Sequence, residues 1–160
     1  MRVKARALGL AAEDYENDKT LQDGDLLFTG ALALPATFWA DQGKKLQSWQ
    51  EGPHTCYRIE GSLAAGLHIN QFVWLETPGE APLHARVTAL EGGSATLQTL
   101  RDYAKHPVWG ITARNREQNF ALNLLMDPAI DFVTLTGIAG TGKTLLALAA
   151  GLAQVLDERR

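Results

Sequence analysis

Between Leu21 and Leu100, apolar and polar residues follow each other in short runs that are typical of β-strands. The pattern predicts five strands, at residues 26–29, 55–60, 71–76, 85–90 and 94–100. Glu91-Gly92-Gly93 separates the last two and predicts a tight hairpin. The alternation in 71–76 is imperfect, which favours a sheet that is partly covered on both faces, as in a small barrel. We therefore expect a β-rich, barrel-like unit over residues 21–106.

One helix is expected to interrupt these strands. Pro35 suits a first helical position, and Gly52-Pro53 suits the end of the helix. Apolar residues between these points can share one helical face: Phe38, Trp39, Leu46 and Trp49.

Residues 107–160 show a different pattern. After a boundary at Pro107–Gly110, Thr112 or Asn115 can cap a helix that runs to Met126. Residues 131–136 are an apolar, β-branched run typical of a buried parallel strand, and 143–157 predict a long Leu/Ala-rich helix. The order of helix, strand, loop and helix predicts the start of an α/β domain, so the chain as a whole is expected to be α+β or α/β.

The loop between that strand and that helix, Gly137–Thr144, matches G-x-x-x-x-G-K-[ST], the phosphate-binding P-loop. Its glycines allow backbone N–H groups to face phosphate oxygens, and the following helix adds its positive dipole end. Lys143 is expected to reach the β- and γ-phosphates, and the Thr144 hydroxyl to bind Mg²⁺. The predicted ATP-binding residues of the loop are Gly137, Gly140, Thr141, Gly142, Lys143 and Thr144.

Gln118 lies in the predicted helix before the strand. Its side-chain amide can both donate and accept, as amides that pair with adenine N6 and N7 do. We therefore predict that Gln118 contacts the base of the bound ATP.

Composition limits the classes of partner. The chain has 160 residues, of which 46% are hydrophobic and 21% charged, as expected of a soluble globular protein. A net charge of −3 argues against a protein that coats nucleic acid. A local basic stretch, 101–116, carries four cations against Asp102 alone, and either RNA binding or a solvated connector explains it.

Other chemistry has weaker sequence signals. Cys56 is the single cysteine, and the four histidines are scattered without ligand spacing. The acidic stretch 13–18 is compatible with a metal site or with a solvated linker. An apolar run of about 18 residues and a secretory signal are both lacking, so a cytoplasmic location is expected.

Arg114-Asn115-Arg116-Glu117-Gln118, followed at this distance by Gly137–Thr144, resembles the PhoH-like ATPases, in particular the bacterial form that fuses a PIN nuclease domain to the ATPase. Residues 8–19 resemble the tail of that PIN domain, and 70–73 with 108–111 resemble the segment between the domains. The resemblance implies a PIN tail at 1–20, a connecting domain at 21–106 and the first part of the ATPase domain at 107–160.

The same resemblance implies ATP and Mg²⁺ as cofactors and a full-length protein that couples ATP hydrolysis to RNA unwinding or degradation, with homo-oligomers in full length. We expect this chain to be an internal fragment that binds ATP, contains no catalytic residue and does not turn ATP over, because no strand with an acidic end follows the P-loop helix. A non-catalytic RNA- or protein-binding module is the alternative, and a small P-loop kinase is a third option.

Overall fold

The computed structural model describes residues 30–157. The predicted PIN tail at 1–20, the acidic stretch 13–18 and the strand at 26–29 lie outside the described residues. The strands are β1 (Ala31–Ala33), β2 (Gln47–Glu51), β3 (His54–Glu60), β4 (Phe72–Leu75), β5 (Leu83–Glu91) and β6 (Ser94–Thr99). The helices are α1 (Phe38–Gln42), α2 (Ser62–Ala65), α3 (Arg116–Leu125) and α4 (Lys143–Leu152), with a 3₁₀ turn at Gly43–Lys45 and a π-helical turn at Ala153–Asp157.

All six strands form one sheet in the order β1-β4-β5-β6-β3-β2, which confirms a mixed α/β class. β1 pairs parallel with β4, and every other pair is antiparallel. β1 and β2 are the two edges within residues 30–157, so these residues do not close a barrel.

The strands predicted at 55–60, 71–76, 85–90 and 94–100 are confirmed to within two residues at each end. The hairpin is also confirmed, because Glu91 pairs with Ser94 across a two-residue turn. Gly92 and Gly93 have φ angles of 54° and 81°, which is the double positive φ that this turn requires.

The prediction of one helix from Pro35 to Gly52 was wrong. α1 ends at Gln42, because the φ of 45° at Gly43 does not continue an α-helix, and the chain enters β2 after the 3₁₀ turn. Trp49 therefore lies in a strand, paired with Cys56 of β3. Cross-strand pairing along the whole of β2 outweighs the helical spacing that relates Trp49 to the apolar residues before it. β1 and α2 were not predicted.

The strand predicted at 131–136 was also wrong, because these residues have no regular secondary structure. Phe132 is 83% exposed rather than buried. A strand needs a partner for its main-chain hydrogen bonds, and no strand within residues 30–157 pairs with this run.

The helices on both sides of that run are confirmed. α3 begins after Asn115, one of the two predicted caps, whose Oδ1 accepts a hydrogen bond from the Gln118 amide. α4 begins at Lys143, directly after the glycine loop, and continues into the π-helical turn.

Two separate apolar cores are present among the described residues. One lies in the sheet and includes Phe38, Ile59 and Leu97. The other joins α3 and α4 through Leu122, Leu146 and Ala149, and it also includes Tyr103, Val108 and Ala113 from the preceding connector. The second core positions the glycine loop beside α3. The predicted domain limits themselves stay predictions.

Candidate functional site

The loop from Gly137 to Thr144 connects the irregular run 131–136 to α4. Gly137, Gly140 and Gly142 have φ angles of 145°, 83° and 88°. Residues with a side chain rarely adopt these angles, so the three glycines permit the path of the loop. Gly142 is the N-cap of α4, and the loop therefore lies at the positive end of the helix dipole.

Lys143 folds back over this loop. Its Nζ donates hydrogen bonds to the carbonyl oxygens of Gly137 at 2.9 Å and Ile138 at 2.7 Å, and to the Thr141 hydroxyl at 3.2 Å. The Thr141 hydroxyl in turn donates to the Ile138 carbonyl at 2.9 Å. The loop thus surrounds the ammonium group with its own oxygens.

Thr144 follows Lys143 in the first turn of α4 and is exposed. Within residues 30–157 its hydroxyl has no hydrogen-bond partner that would have to be displaced. A hydroxyl oxygen beside a phosphate-binding loop is a suitable ligand for Mg²⁺, which takes oxygen donors and keeps several waters. The Thr144 hydroxyl is therefore chemically suited to be one ligand of the predicted ion.

The structure brings Gln118 to the same loop. Its Nε2 donates to the Thr141 carbonyl at 3.1 Å, and its Oε1 accepts from the Arg114 amide at 2.8 Å. A Cβ atom added at Gly142 would lie 3.3 Å from Nε2, so the contact between α3 and the loop is close. Both ends of the amide are engaged by the protein, and an adenine base would have to replace these partners.

The cations of the basic stretch are largely paired within the protein. Lys105 lies 3.1 Å from Asp102, and the Arg101 guanidinium lies 5.5 Å from the centre of the Tyr103 ring. Arg116 contacts Glu76 at 3.3 Å and Glu117 at 3.0 Å. Arg114 alone among the four has no ion pair or ring contact within residues 30–157. The stretch is therefore not a continuous free cationic surface.

Two features are lacking from the part of the chain that the structure describes. No group of three His, Cys, Asp or Glu side chains converges to hold a metal ion. No helix there is both long and apolar enough to cross a lipid bilayer.

Sequence reasoning missed the contacts that hold α3 against the sheet. The Arg116 guanidinium lies 3.7 Å from the centre of the Trp74 ring, and the Arg86 guanidinium lies 2.5 Å from the Asp127 carboxylate. Partners about 40 residues apart leave no signal in a single sequence, because no local period connects them.

Comparison with known proteins gives three curated relatives, all named Protein PhoH2. The chain is 36% identical to the protein of Bacillus subtilis over 160 residues, 34% to that of Thermobispora bispora and 33% to that of Mycolicibacterium smegmatis. The alignments cover 98%, 100% and 99% of the chain. No family model matches the chain, and no solved structure matches it significantly.

The chain spans about a third of the length of these relatives, 33% for the Bacillus subtilis protein and 32% for the other two. The alignments include the glycine loop, Lys143 and Gln118, because they cover nearly all of the chain. The resemblance seen at Arg114–Gln118 and Gly137–Thr144 is thus supported by similarity along the whole sequence. The chain belongs to the PhoH-like family.

Proposed function

We propose that the chain binds Mg-ATP at the loop 137–144. The observation that carries the proposal is the ring of oxygen atoms around the Lys143 ammonium, formed by Gly137, Ile138 and Thr141. These bonds hold the charge in the loop, and phosphate oxygens can replace the carbonyls as stronger, charged acceptors.

Each predicted site residue has a role in this proposal. Gly137, Gly140 and Gly142 give the loop its path, and Thr141 closes it through its hydroxyl and carbonyl. Lys143 binds the β- and γ-phosphates, and Thr144 supplies an oxygen ligand to Mg²⁺. The ion, when bound, neutralises phosphate charge and fixes the geometry of the triphosphate.

Gln118 is proposed to read the base. Its amide contacts the loop at Thr141, and this contact beside the proposed phosphate site supports the role. To pair with adenine, Gln118 must break its hydrogen bond to Thr141 or to Arg114. Base recognition would therefore exchange existing hydrogen bonds for new ones to the base.

We also propose that this chain binds ATP without turning it over. Within residues 30–157, no carboxylate contacts Lys143 or Thr144 to orient an attacking water. In the longer PhoH-like proteins, ATP hydrolysis at the corresponding loop is proposed to drive RNA unwinding or degradation, a role that the family resemblance suggests.

Equilibrium binding of Mg-ATP to the chain, with hydrolysis followed in the same samples, tests the proposal. Lys143→Ala should weaken binding at least about tenfold, which corresponds to about 1.4 kcal/mol. Thr144→Ala should weaken binding in Mg²⁺ and have a smaller effect in EDTA. Lys45→Ala, an exposed lysine in the 3₁₀ turn near the sheet core, is the matched control.

Unchanged binding in Lys143→Ala would contradict the proposal, and so would a wild-type chain that binds no ATP. Salt-sensitive RNA retention that survives Lys143→Ala would instead favour the non-catalytic binding module.

A further inference from the structure

Helix α3 is attached to the sheet at three points along its length. At its first residue, the Arg116 guanidinium lies on the Trp74 ring. In its middle, the Phe120 ring stacks on Phe72 with 4.3 Å between centroids and 7° between planes. Just beyond its end, Asp127 pairs with Arg86. A helix fixed at three points cannot rotate or slide without breaking at least one of these contacts.

The first of these points is the most constrained. Arg116 donates to Glu76 at 3.3 Å and to Glu117 at 3.0 Å, while its guanidinium covers the Trp74 ring at 3.7 Å. Its Nε is buried and has no hydrogen-bond partner within residues 30–157, so the side chain gives up one bond to keep this position. A cation on an aromatic face gains most when it is partly desolvated, as this one is.

Glu76 is fixed in turn by the sheet. His84 of β5 lies 3.0 Å from the same carboxylate oxygen that Arg116 contacts. That hydrogen bond is the main reason why the pKa of Glu76 lies below its ordinary value. Desolvation acts in the opposite direction, and the charge of Arg116 and its hydrogen bond lower the pKa further. The carboxylate therefore stays charged and keeps Arg116 in place at neutral pH.

Gln118 lies in the same helical turn as Arg116. Its backbone amide is capped by Asn115, and its side chain joins the Arg114 amide to the Thr141 carbonyl of the glycine loop. The position of this first turn therefore decides where Gln118 meets the loop. Trp74 thus contacts Arg116 at the start of this turn, and Gln118, two residues later on the same helix, contacts Thr141.

We infer that Arg116 is a positioning residue for the nucleotide site, and that Trp74 and Glu76 of the sheet set the position of the glycine loop through it. The inference rests on the proposed function, because it assigns regulation to the same site. Coupling between two sites is reciprocal. Changes at Trp74 should alter ATP affinity, and bound ATP should alter the surroundings of Trp74, which is not part of the loop.

The test uses the chain labelled with 5-fluorotryptophan. Its four tryptophans give four ¹⁹F resonances, and Trp74→Phe identifies that of Trp74. Mg-ATP should move this resonance in the wild type and leave it in place in Arg116→Gln. In binding assays, Trp74→Leu and Arg116→Gln should each weaken Mg-ATP at least about fivefold, the lower range of allosteric couplings. Trp74→Phe, which keeps an aromatic face, should restore most of the affinity.

Trp49→Leu is the matched control, because Trp49 lies on edge strand β2, four strands away from β4 in the sheet. Far-ultraviolet circular dichroism checks that each variant is folded. Wild-type affinity in both Trp74→Leu and Arg116→Gln would overturn the inference, as would a Trp74 resonance that ignores bound ATP.

A second measurement separates this inference from the proposed function. If the wild type binds no ATP, the proposed function fails, but amide hydrogen exchange in nucleotide-free protein still tests the contacts. Arg116→Gln and Trp74→Leu should speed exchange of the Arg114 amide, which Gln118 protects, whereas Trp49→Leu should not. Equal exchange rates in all four proteins would overturn the inference independently of ATP.

Discussion

The side-chain amide of Gln118 donates a hydrogen bond to the main-chain carbonyl of Thr141 at 3.1 Å and so joins helix α3 to the glycine loop across 23 residues of sequence. The same side chain accepts from the Arg114 amide. In the structure described, Gln118 therefore acts as a brace, that is, its two hydrogen bonds hold α3 against the loop. The base contact that the sequence predicts would be a second role.

Gln118→Ala should remove both the brace and the base contact. We expect Mg-ATP to bind several-fold more weakly, since a lost hydrogen bond costs about 1 kcal/mol. If Gln118 contacts the adenine base, the wild type should bind ATP more tightly than GTP, and Gln118→Ala should bind the two nucleotides with similar affinity. Competition binding with both nucleotides measures this. Weaker binding with an unchanged ATP preference would leave Gln118 as a brace and sink its role in base recognition.

A pair of glycine substitutions tests the backbone of the loop. Gly142→Ala places a side chain at a φ of 88° and a Cβ atom 3.3 Å from Gln118 Nε2. We expect it to destabilise the loop by about 1–2 kcal/mol, the cost of a left-handed conformation for a residue with a side chain. Mg-ATP binding should fall along with it.

Gly151→Ala is the control for that change. Gly151 lies within α4, and nothing lies within 4 Å of a Cβ atom added there. Alanine is favoured over glycine inside a helix by about 0.5–1 kcal/mol, so this variant should be at least as stable as the wild type and bind ATP equally well. Urea unfolding and titration with Mg-ATP compare the two. Equal stability and equal Mg-ATP affinity in the Gly142→Ala and Gly151→Ala variants would contradict the proposal that the positive φ at Gly142 is needed for ATP binding.

The sequence predicted best those features that depend on neighbours along the chain. The hairpin at Gly92-Gly93, the cap at Asn115 and the start of α4 after Gly142 each follow from local backbone rules, and the structure contains all three. The motif also led directly to Lys143 and Thr144, because its spacing is fixed by the path of the loop.

The wrong predictions concern residues whose state is decided by partners far along the chain. Trp49 of Gln47–Glu51 lies at a helical spacing from Leu46, but the segment becomes a strand because β3 pairs with it. Residues 131–136 have the composition of a buried strand but remain outside the sheet. In both cases the composition was compatible with the prediction, and the presence or lack of a pairing strand decided the outcome.

The ion pair between Arg86 and Asp127 gives a pH-dependent prediction. Partial burial acts to raise the pKa of Asp127, but the hydrogen bond from the Ala129 amide and the interaction with Arg86 outweigh it and lower the pKa below its usual value. A carboxyl group with a lowered pKa stabilises the fold above its unfolded pKa of about 3.9 and loses this contribution as the pH falls through the folded pKa.

Asp127→Asn should therefore destabilise the chain by about 2 kcal/mol at pH 7, as expected for a hydrogen bond to a charged group. The difference between wild type and variant should stay constant down to about pH 5 and shrink below about pH 4, where the Asp127 carboxyl of the unfolded wild type begins to protonate. Urea unfolding from pH 7 to pH 3 measures it. Asp131→Asn, an exposed aspartate in the irregular run, is the control and should change little. A difference that does not depend on pH would contradict the ion pair.

The outer face of α4 predicts how the chain behaves in solution. Leu145, Leu148, Leu152 and Val155 recur at helical spacing and are 41–60% exposed, whereas Leu146 on the inner face is 3% exposed. Contiguous apolar surface of this kind promotes association. We expect the chain to self-associate as its concentration rises, which sedimentation velocity over a hundredfold range of concentration can show.

Leu148→Glu combined with Leu152→Glu should shift the chain toward monomer without loss of stability, because neither side chain belongs to the core between α3 and α4. Leu146→Glu, the same change on the buried face of the same helix, should unfold that core, since it places a charge without a partner among apolar side chains. A wild type that stays monomeric at every concentration, with strong amide protection over 131–156, would contradict the expectation. Such a result would mean that the apolar face of α4 is stable in water despite its leucines, and that it does not cause measurable association between copies of the chain.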